Sequence, residues 1–376
     1  MKVINEIKAL RHKMWQGFWK KMPLQQNKVI LWSDNFKSFG CSPKYIALYL
    51  AEHYPGKFDV VWVLEQGRPV PEGMPEGIRM VRYFSMQYLK EIATAKVIVC
   101  NHRTGDAHYF KKRKGQFYIQ TWHGGLALKK IEADAPGLPE SYVCDAKKDS
   151  QKIDLMISGW KFTTNVFRNA FWYSGEVQES GTPRCDCLFG DPQRVKEKVY
   201  RFYNIPADKK FVLYAPTFRK DKDASCYGMD FGKLLETLGE NFVAGCRLHP
   251  NIQTKPKADH CILMGDYPDM QELLIACDLL ITDYSSSMFD MAIVGKKCAL
   301  FTPDLEAYLQ NERGMYFDIS ALPFPRGNNM AQLCNALRDW DGYSRKVEEF
   351  LKEAGCFENG NAAQAVAERI ERVCYG

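Results

Sequence analysis

From residue 28 the chain alternates short apolar runs with stretches of helical spacing. Residues 28–34 (KVILWSD) form an apolar run ending in polar residues. Residues 42–54 open on Ser42 and Pro43 and continue as a helix. A second run, 58–65, leads into a loop rich in Gly and Pro at 67–77. The helical stretch 85–95 feeds the run 96–101, and further runs lie at 115–121 and 153–159. After a lapse around 188–206 the pattern resumes, with runs beginning near 209, 241, 260, 277 and 296. Helices are expected between them at 231–238, 269–276 and 286–294, and a closing helix at 361–375. Strands and helices alternating in this way predict parallel sheets covered by helices on both faces. A chain of 376 residues is too long for one compact core and suits two such domains.

Residues 1–22 have a different pattern. Val3, Ile7, Leu10, Met14 and Phe18 follow three-four spacing, and Ile4, Trp15 and Trp19 widen the stripe. Lys2, Lys8, Arg11, Lys13, Lys20 and Lys21 stand against the single acid Glu6. A basic amphipathic helix with tryptophans suits the headgroup layer of an anionic membrane, and equally a stripe packed on the protein's own body. The expected layout is the helix 1–22, an N-terminal domain 23–200, a C-terminal domain 201–360 and the closing helix 361–376.

Charge and cysteines narrow the setting. The formal net charge is +6, with the excess at one end rather than on a broad face. This argues against nucleic acid as a partner. The 13 cysteines are odd in number and lie mostly in apolar runs. Cys185 and Cys187 have no second pair at zinc spacing, which favours buried thiols in a reducing compartment. No signal peptide and no run of about 20 apolar residues is present, so a cytoplasmic protein is expected.

In open parallel sheets ligands bind beyond the carboxyl ends of the strands, where the unusual polar residues fall. The run 115–121 delivers Trp122, His123, Gly124 and Gly125. The run beginning at 209 delivers Thr217 and Arg219, and the next delivers Arg247 and His249. The run at 277 delivers Asp283, Tyr284 and Ser285 to Ser287 directly before a helix. Hydroxyls and free N–H groups at a helix start suit phosphate, while Asp or Ser there also serves as a plain N-cap. A histidine can be structural, can accept a proton from a hydroxyl, or can stabilise phosphate charge as imidazolium. Arg219, Arg247 and Arg313 supply fixed positive charge suited to phosphate. The Walker loop, Gly-x-Gly-x-x-Gly, Gly-x-Ser-x-Gly and His-Glu-x-x-His are all absent.

Seven segments in order carry a resemblance. They are AKVIVCNH (95–102), GQFYIQTWHGG with LKKI (115–131), ESGTPRCDCL (179–188), LYAPTFR (213–219), RLHP (247–250), DLLITDYSSSMFD (278–290) and DLEAYLQNERGMYFD (304–318). Together, over roughly residues 28–320, they resemble the CDP-glycerol glycerophosphotransferase family of teichoic acid and capsule polymer synthesis. Many members carry Thr-Pro after Trp-His-Gly. Here Gly125, Leu126 and Ala127 stand instead, with one extra residue before Lys129, a departure on the acceptor side.

The resemblance implies two facing doubly wound α/β domains of the GT-B type, with the donor held mainly by the second. It implies transfer of glycerol phosphate from CDP-glycerol to a hydroxyl of a polymer, glycan or lipid-linked acceptor, releasing CMP. His123 then corresponds to the catalytic base and His249 to a second histidine at the donor pyrophosphate. Asp283, Ser285 and Ser286 match the phosphate-binding turn. Thr217, Arg219, Arg247, Glu306 and Arg313 fall on the donor side. Trp122, Gly124, Gly125 and Lys129 fall on the acceptor side. The implied place is the inner face of the cell membrane, reached through residues 1–22. No metal or other cofactor is indicated, although phosphoryl chemistry is compatible with magnesium. CDP-ribitol is the alternative donor. A sugar transferase or nucleotide-sugar epimerase on the same scaffold is the rival enzyme. A surface-binding protein without activity would have no need of a base.

Overall fold

The computed structural model describes residues 17–71, 73–104, 111–219, 228–248, 259–311 and 314–376. The expected helix 1–22 falls largely on residues 1–16, outside the described residues. Of the remainder, 17–19 are helical.

The chain divides into two compact α/β units, each built on a parallel sheet, as the GT-B expectation requires. The first comprises Met1–Gly124, Gly137–Asp186 and Phe357–Gly376. The second comprises Gly125–Pro136 and Cys187–Cys356. The chain therefore passes from one unit to the other at 124/125, 136/137, 186/187 and 356/357.

The sheet of the first unit contains β1 (Gln25–Trp32), β2 (Asp59–Leu64), β3 (Ile78–Arg82) and β4 (Ala95–Cys100). It continues with β5 (Phe117–Gln120), β6 (Leu155–Ser158) and β7 (Glu176–Glu179). The order is β3-β2-β1-β4-β5-β6-β7, so the winding reverses between β1 and β4. The central strands are buried on both faces and are correspondingly rich in Val, Ile and Leu. Helices Cys41–His53 and Ala362–Tyr375 cover one face. Ile46 and Leu50 from the first and Val366 and Ile370 from the second join Val29, Leu31 and Val99 in one core.

The other sheet contains β8 (Lys210–Tyr214), β9 (Phe242–Cys246), β10 (Cys261–Leu263), β11 (Leu279–Thr282), β12 (Lys297–Phe301) and β13 (Arg326–Gly327). Its order, β10-β9-β8-β11-β12-β13, reverses between β8 and β11. Val212, Ala244, Ile281 and Ala299 pack with Leu234 and Leu333 from the covering helices.

Ion pairs join the elements at one edge of the first sheet. Lys28, 2% exposed, forms an ion pair with Glu91 and donates to Thr94 Oγ1 at 3.0 Å. Arg79 grips both oxygens of Asp59 at 2.7 Å. These bonds tie β1, β2 and β3 to helix Met86–Thr94.

The late return of the chain to the first unit is closely tied down. Phe357 N–H donates to Gly159 O at 2.7 Å, and Glu358 accepts from Thr182 N–H at 2.8 Å and Thr182 Oγ1 at 2.6 Å. A Cβ at Gly159 would collide with the Glu358 carboxylate and Thr182 Oγ1, so a side chain there would have to displace this bridge. The Asp186 carboxylate accepts from the N–H groups of Ala362 and Ala363 at 3.0 and 2.6 Å, completing the start of the closing helix.

Burial pushes the Asp186 carboxyl up to about 6, against the downward pull of those two bonds. An unfolded Asp titrates near ~3.9. The favourable contribution of the protonated group is therefore full below about pH 4 and lost as pH rises through about 6. Relative to Asp186→Asn, the wild type is expected to lose stability between pH 4 and 6. Urea midpoints measured across that range check this difference.

Candidate functional site

The first unit supplies one cluster at the end of β5. Gln120 Oε1 accepts from the Trp122 N–H at 3.0 Å, and Trp122 sits in the left-handed region with φ 53°. This sharp turn brings out the exposed His123. Its Nδ1 lies 3.0 Å from the main-chain oxygen of Asn101, just beyond β4. A carbonyl can only accept, so Nδ1 carries a proton, and in the neutral imidazole the lone pair lies on Nε2. The imidazole leans on Trp122 with ring centroids 4.4 Å apart, and Trp122 meets Phe171 edge-on at 4.8 Å. Arg103 lies 5.1 Å over Phe171 and donates to Ser150 Oγ at 2.7 Å. The ring is thus braced from behind by a packed aromatic and cationic group. Gly124 ends this segment.

Gly125 and Lys129 belong to the second unit. There the strap 125–136 forms an antiparallel bridge between Lys129 and Met315. Lys130 N–H donates to Gly314 O at 2.7 Å and Tyr316 N–H to Leu128 O at 2.9 Å. Tyr316 O–H reaches Asp134 at 2.6 Å. The Lys129 ammonium stands 5.2 Å over the Tyr308 ring.

The strand ends on either side of the β8/β11 reversal, joined by Ala215 N–H to Ile281 O at 2.9 Å and Thr282 Oγ1 to Ala215 O at 2.7 Å, are bridged further on by one carboxylate. Asp283, 1% exposed, accepts from Thr217 N–H at 2.8 Å and from Arg219 Nη1 at 2.6 Å. Arg219, itself 5% exposed, also donates through Nε and Nη2 to Asp304 at 3.1 and 3.0 Å. Tyr284 O–H donates to Asp304 Oδ1 at 3.0 Å and its ring stacks on Tyr308 at 4.0 Å. The guanidinium lies 5.0 and 5.3 Å from those two rings. Burial pulls the Arg219 pKa down, but the charge of Asp283 and the bonds to Asp304 and Asp283 outweigh it, so the net shift is upward. This arginine is a fixed cation whose fork bridges two carboxylates.

The other candidates of this unit differ in setting. Arg247 donates through Nη1 to the carbonyls of Tyr267 and Met264 at 2.7 and 3.2 Å. Burial lowers its pKa against the opposing pull of Tyr203, Asp269 and Asp266. Ser285 and Ser287 share a hydroxyl–hydroxyl bond of 2.9 Å, and Ser286 precedes helix Ser287–Ala292. Thr217 Oγ1 is buried and has no hydrogen-bond partner among the described residues. Glu306 is exposed in the first turn of helix Leu305–Asn311. His249 and Arg313 lie outside the described residues.

Two residues at the centre of these clusters were not singled out from the sequence: Asn101, which orients His123, and Asp304, which completes the Arg219 pairing. Asn101 directly follows the apolar run VIVC, while Asp304 lies past Thr302 and Pro303 after the run ALF, near the strand end as Asp283 is after LLIT. Replacing Arg219 by Lys offers one point charge where a fork spans two carboxylates. The Arg219→Lys protein is expected to lose roughly 3 kcal/mol of unfolding free energy, in the range for breaking a buried ion pair. Urea denaturation measures the loss, which is expected to be less than additive with Asp304→Asn.

Comparison with known proteins adds to this geometry. A family model described as CDP-Glycerol:Poly(glycerophosphate) glycerophosphotransferase matches residues 14–372. The teichoic acid poly(glycerol phosphate) polymerase of Staphylococcus epidermidis is 30% identical over 377 residues, covering 94% of this chain and 52% of that protein. The chain thus spans about half the length of that polymerase. The teichoic acid glycerol-phosphate transferase of Staphylococcus aureus is 31% identical, covering 97% of this chain and 99% of that protein. A solved structure of the wall teichoic acid polymerase TagF matches with a TM-score of 0.84 at 28% identity, covering 100% of this chain and 98% of the other. Another structure of that polymerase was obtained after a soak with CDPG.

Proposed function

The chain belongs to the CDP-glycerol:poly(glycerophosphate) glycerophosphotransferase family, and from that membership we propose that it transfers glycerol phosphate from CDP-glycerol to a hydroxyl of a polymer or lipid-linked glycan acceptor. The observation that carries the reading is the tautomer of His123. With Nδ1–H held by the Asn101 carbonyl, Nε2 is the nitrogen with a lone pair, as a general base needs.

In the proposed reaction Nε2 takes the proton of the acceptor hydroxyl as its oxygen attacks the phosphorus that bears glycerol. The new P–O bond forms in line with the bond that breaks, and the electron pair of that bond leaves on the phosphate of CMP. Donor binding falls to the second unit. Thr217, Ser285 and Ser286 offer hydroxyls to the diphosphate, with Arg247, Arg313 and His249 as its cationic side and Glu306 at the nucleotide. Asp283 and Arg219 hold the strand ends that present these groups. Trp122, Gly124, Gly125 and Lys129 serve the acceptor side.

Purified protein supplied with a glycan acceptor is expected to release CMP from CDP-glycerol, and only when the acceptor is present. CDP-ribitol and sugar nucleotides run in parallel decide the donor. Release from a sugar nucleotide alone would overturn the assignment. His123→Ala is expected to lower turnover by roughly 10²–10⁴-fold while CDP-glycerol still binds, as isothermal titration would record.

Residues 1–22 are proposed to hold the enzyme at an anionic membrane surface. No helix among the described residues is long and apolar enough to cross a membrane. Phe18 and Met22 are 53% and 37% exposed. The pKa of Lys20 is lowered first by partial burial and then by the nearby charges of Lys111 and Arg113. Deleting residues 1–22 is expected to abolish most sedimentation with anionic liposomes and to leave transfer to a water-soluble acceptor largely intact. Undiminished sedimentation would remove the segment from this role.

A further inference from the structure

The strand ends flanking the β1/β4 reversal are joined by side chains that the proposed reaction does not use. Directly after β1 the backbone makes a left-handed turn in which Asp34, Asn35 and Phe36 have φ 48°, 55° and 68°. Side chains disfavour this conformation, and it persists only where its surroundings over-determine it. Here Phe36 anchors it. The Phe36 N–H donates to Ser33 O at 2.8 Å and its carbonyl accepts from Glu65 N–H at 2.7 Å. The Phe36 ring stacks on Tyr83 at 4.0 Å and on Trp32 at 5.2 Å.

The turn aims Asp34 at the residue after β4. Asp34 N–H donates to Asn101 Oδ1 at 2.9 Å, and Asn101 Nδ2 donates back to Asp34 Oδ1 at 3.0 Å. Asn35 N–H meets His102 Nδ1 at 3.2 Å, and Ser38 Oγ donates to Asp34 Oδ2 at 2.5 Å. Asn101 is 1% exposed, so its amide is held by this reciprocal pair rather than by bulk water. Its main-chain oxygen is the one that accepts from His123 Nδ1 at 3.0 Å.

We propose that Asp34 is a positioning residue for His123. The Asp34–Asn101 pair fixes the Asn101 peptide, and the carbonyl of that peptide holds the imidazole in its Nδ1–H tautomer. What matters is geometry rather than the negative charge. The inference rests on the reading of His123 as the base.

The test combines the kinetics of CMP release with ¹⁵N–¹H spectra of the full chain, in which His123→Gln identifies the His123 signals. Asp34→Ala is expected to lower kcat roughly 10–100-fold, the scale of a slight misplacement of a reacting group. The KM for CDP-glycerol is expected to change far less, and the Nδ1–H form of His123 to lose its dominance. Asp34→Asn keeps an acceptor for Asn101 Nδ2 and tolerates the left-handed turn. It is expected to recover most of the lost kcat together with the wild-type spectrum. Unchanged kcat and tautomer in Asp34→Ala overturn the proposal. Equal inactivity of the Ala and Asn variants also overturns it, since the charge itself would then be required. If Asp34→Ala does not fold, Asp34→Gly removes the carboxylate while relieving the turn and is judged by the same two outcomes. A wild type that releases no CMP from CDP-glycerol sinks the assigned reaction, while the tautomer comparison still decides the positioning role.

Discussion

Reversal of winding is the constraint on which both units depend. In a doubly wound sheet the two strands at the reversal send their connections away to opposite sides. Beyond their paired ends, Trp32 with Cys100 and Tyr214 with Ile281, the segments that follow therefore diverge. Both units meet the problem with an aspartate that accepts across the gap, Asp34 toward Asn101 and Asp283 toward Thr217. The difference in burial sets the chemistry of each bridge. Asp34 is exposed, so water supports its charge and a neutral amide suffices as partner. Asp283 is buried, and a buried carboxylate needs a cation, which Arg219 provides.

This division changes what the basic residues of the second unit can do. Arg219 has Nε, Nη1 and Nη2 all directed at protein oxygens. It acts through rigidity, holding the 217 turn, the 283 turn and Asp304 as one piece between two tyrosine rings. Lys28 solves a similar problem in the first sheet, where Glu91 and Thr94 accept from a fully buried ammonium group.

Much of the fold was legible because buried parallel strands are continuous apolar runs. The central strands and the helices at 41–53, 86–94, 231–238, 270–276 and 362–375 all carry that signal. The strands that left none are β3, β7 and β13, each at the edge of its sheet. An edge strand buries less, so IRMVR and EVQE lack an apolar run to betray them. Strand-end polar residues pointed to the clusters around His123 and Asp283, but not to who pairs with whom. Arg219 looks the same in sequence whether it meets phosphate or Asp304. The left-handed turn at 34–36 could not be anticipated, because neither Asp34 nor Phe36 is a glycine and its support comes from Tyr83, far along the chain. The membership of 125–136 in the second unit was equally hidden, since it is decided by hydrogen bonds to residues 314 and 316.

The interleaving of segments has a consequence for the order in which the protein is made. Once residue 356 has been synthesised, the second unit has all of its segments, including the strap 125–136. The first unit, although it began earlier, still lacks helix Ala362–Tyr375, which supplies Val366 and Ile370 to its core and receives its start from Asp186. Domains ordinarily mature in the order they emerge from the ribosome. Here the later-emerging unit is complete first, and the half carrying His123 stays unfinished on one face until the last helix arrives.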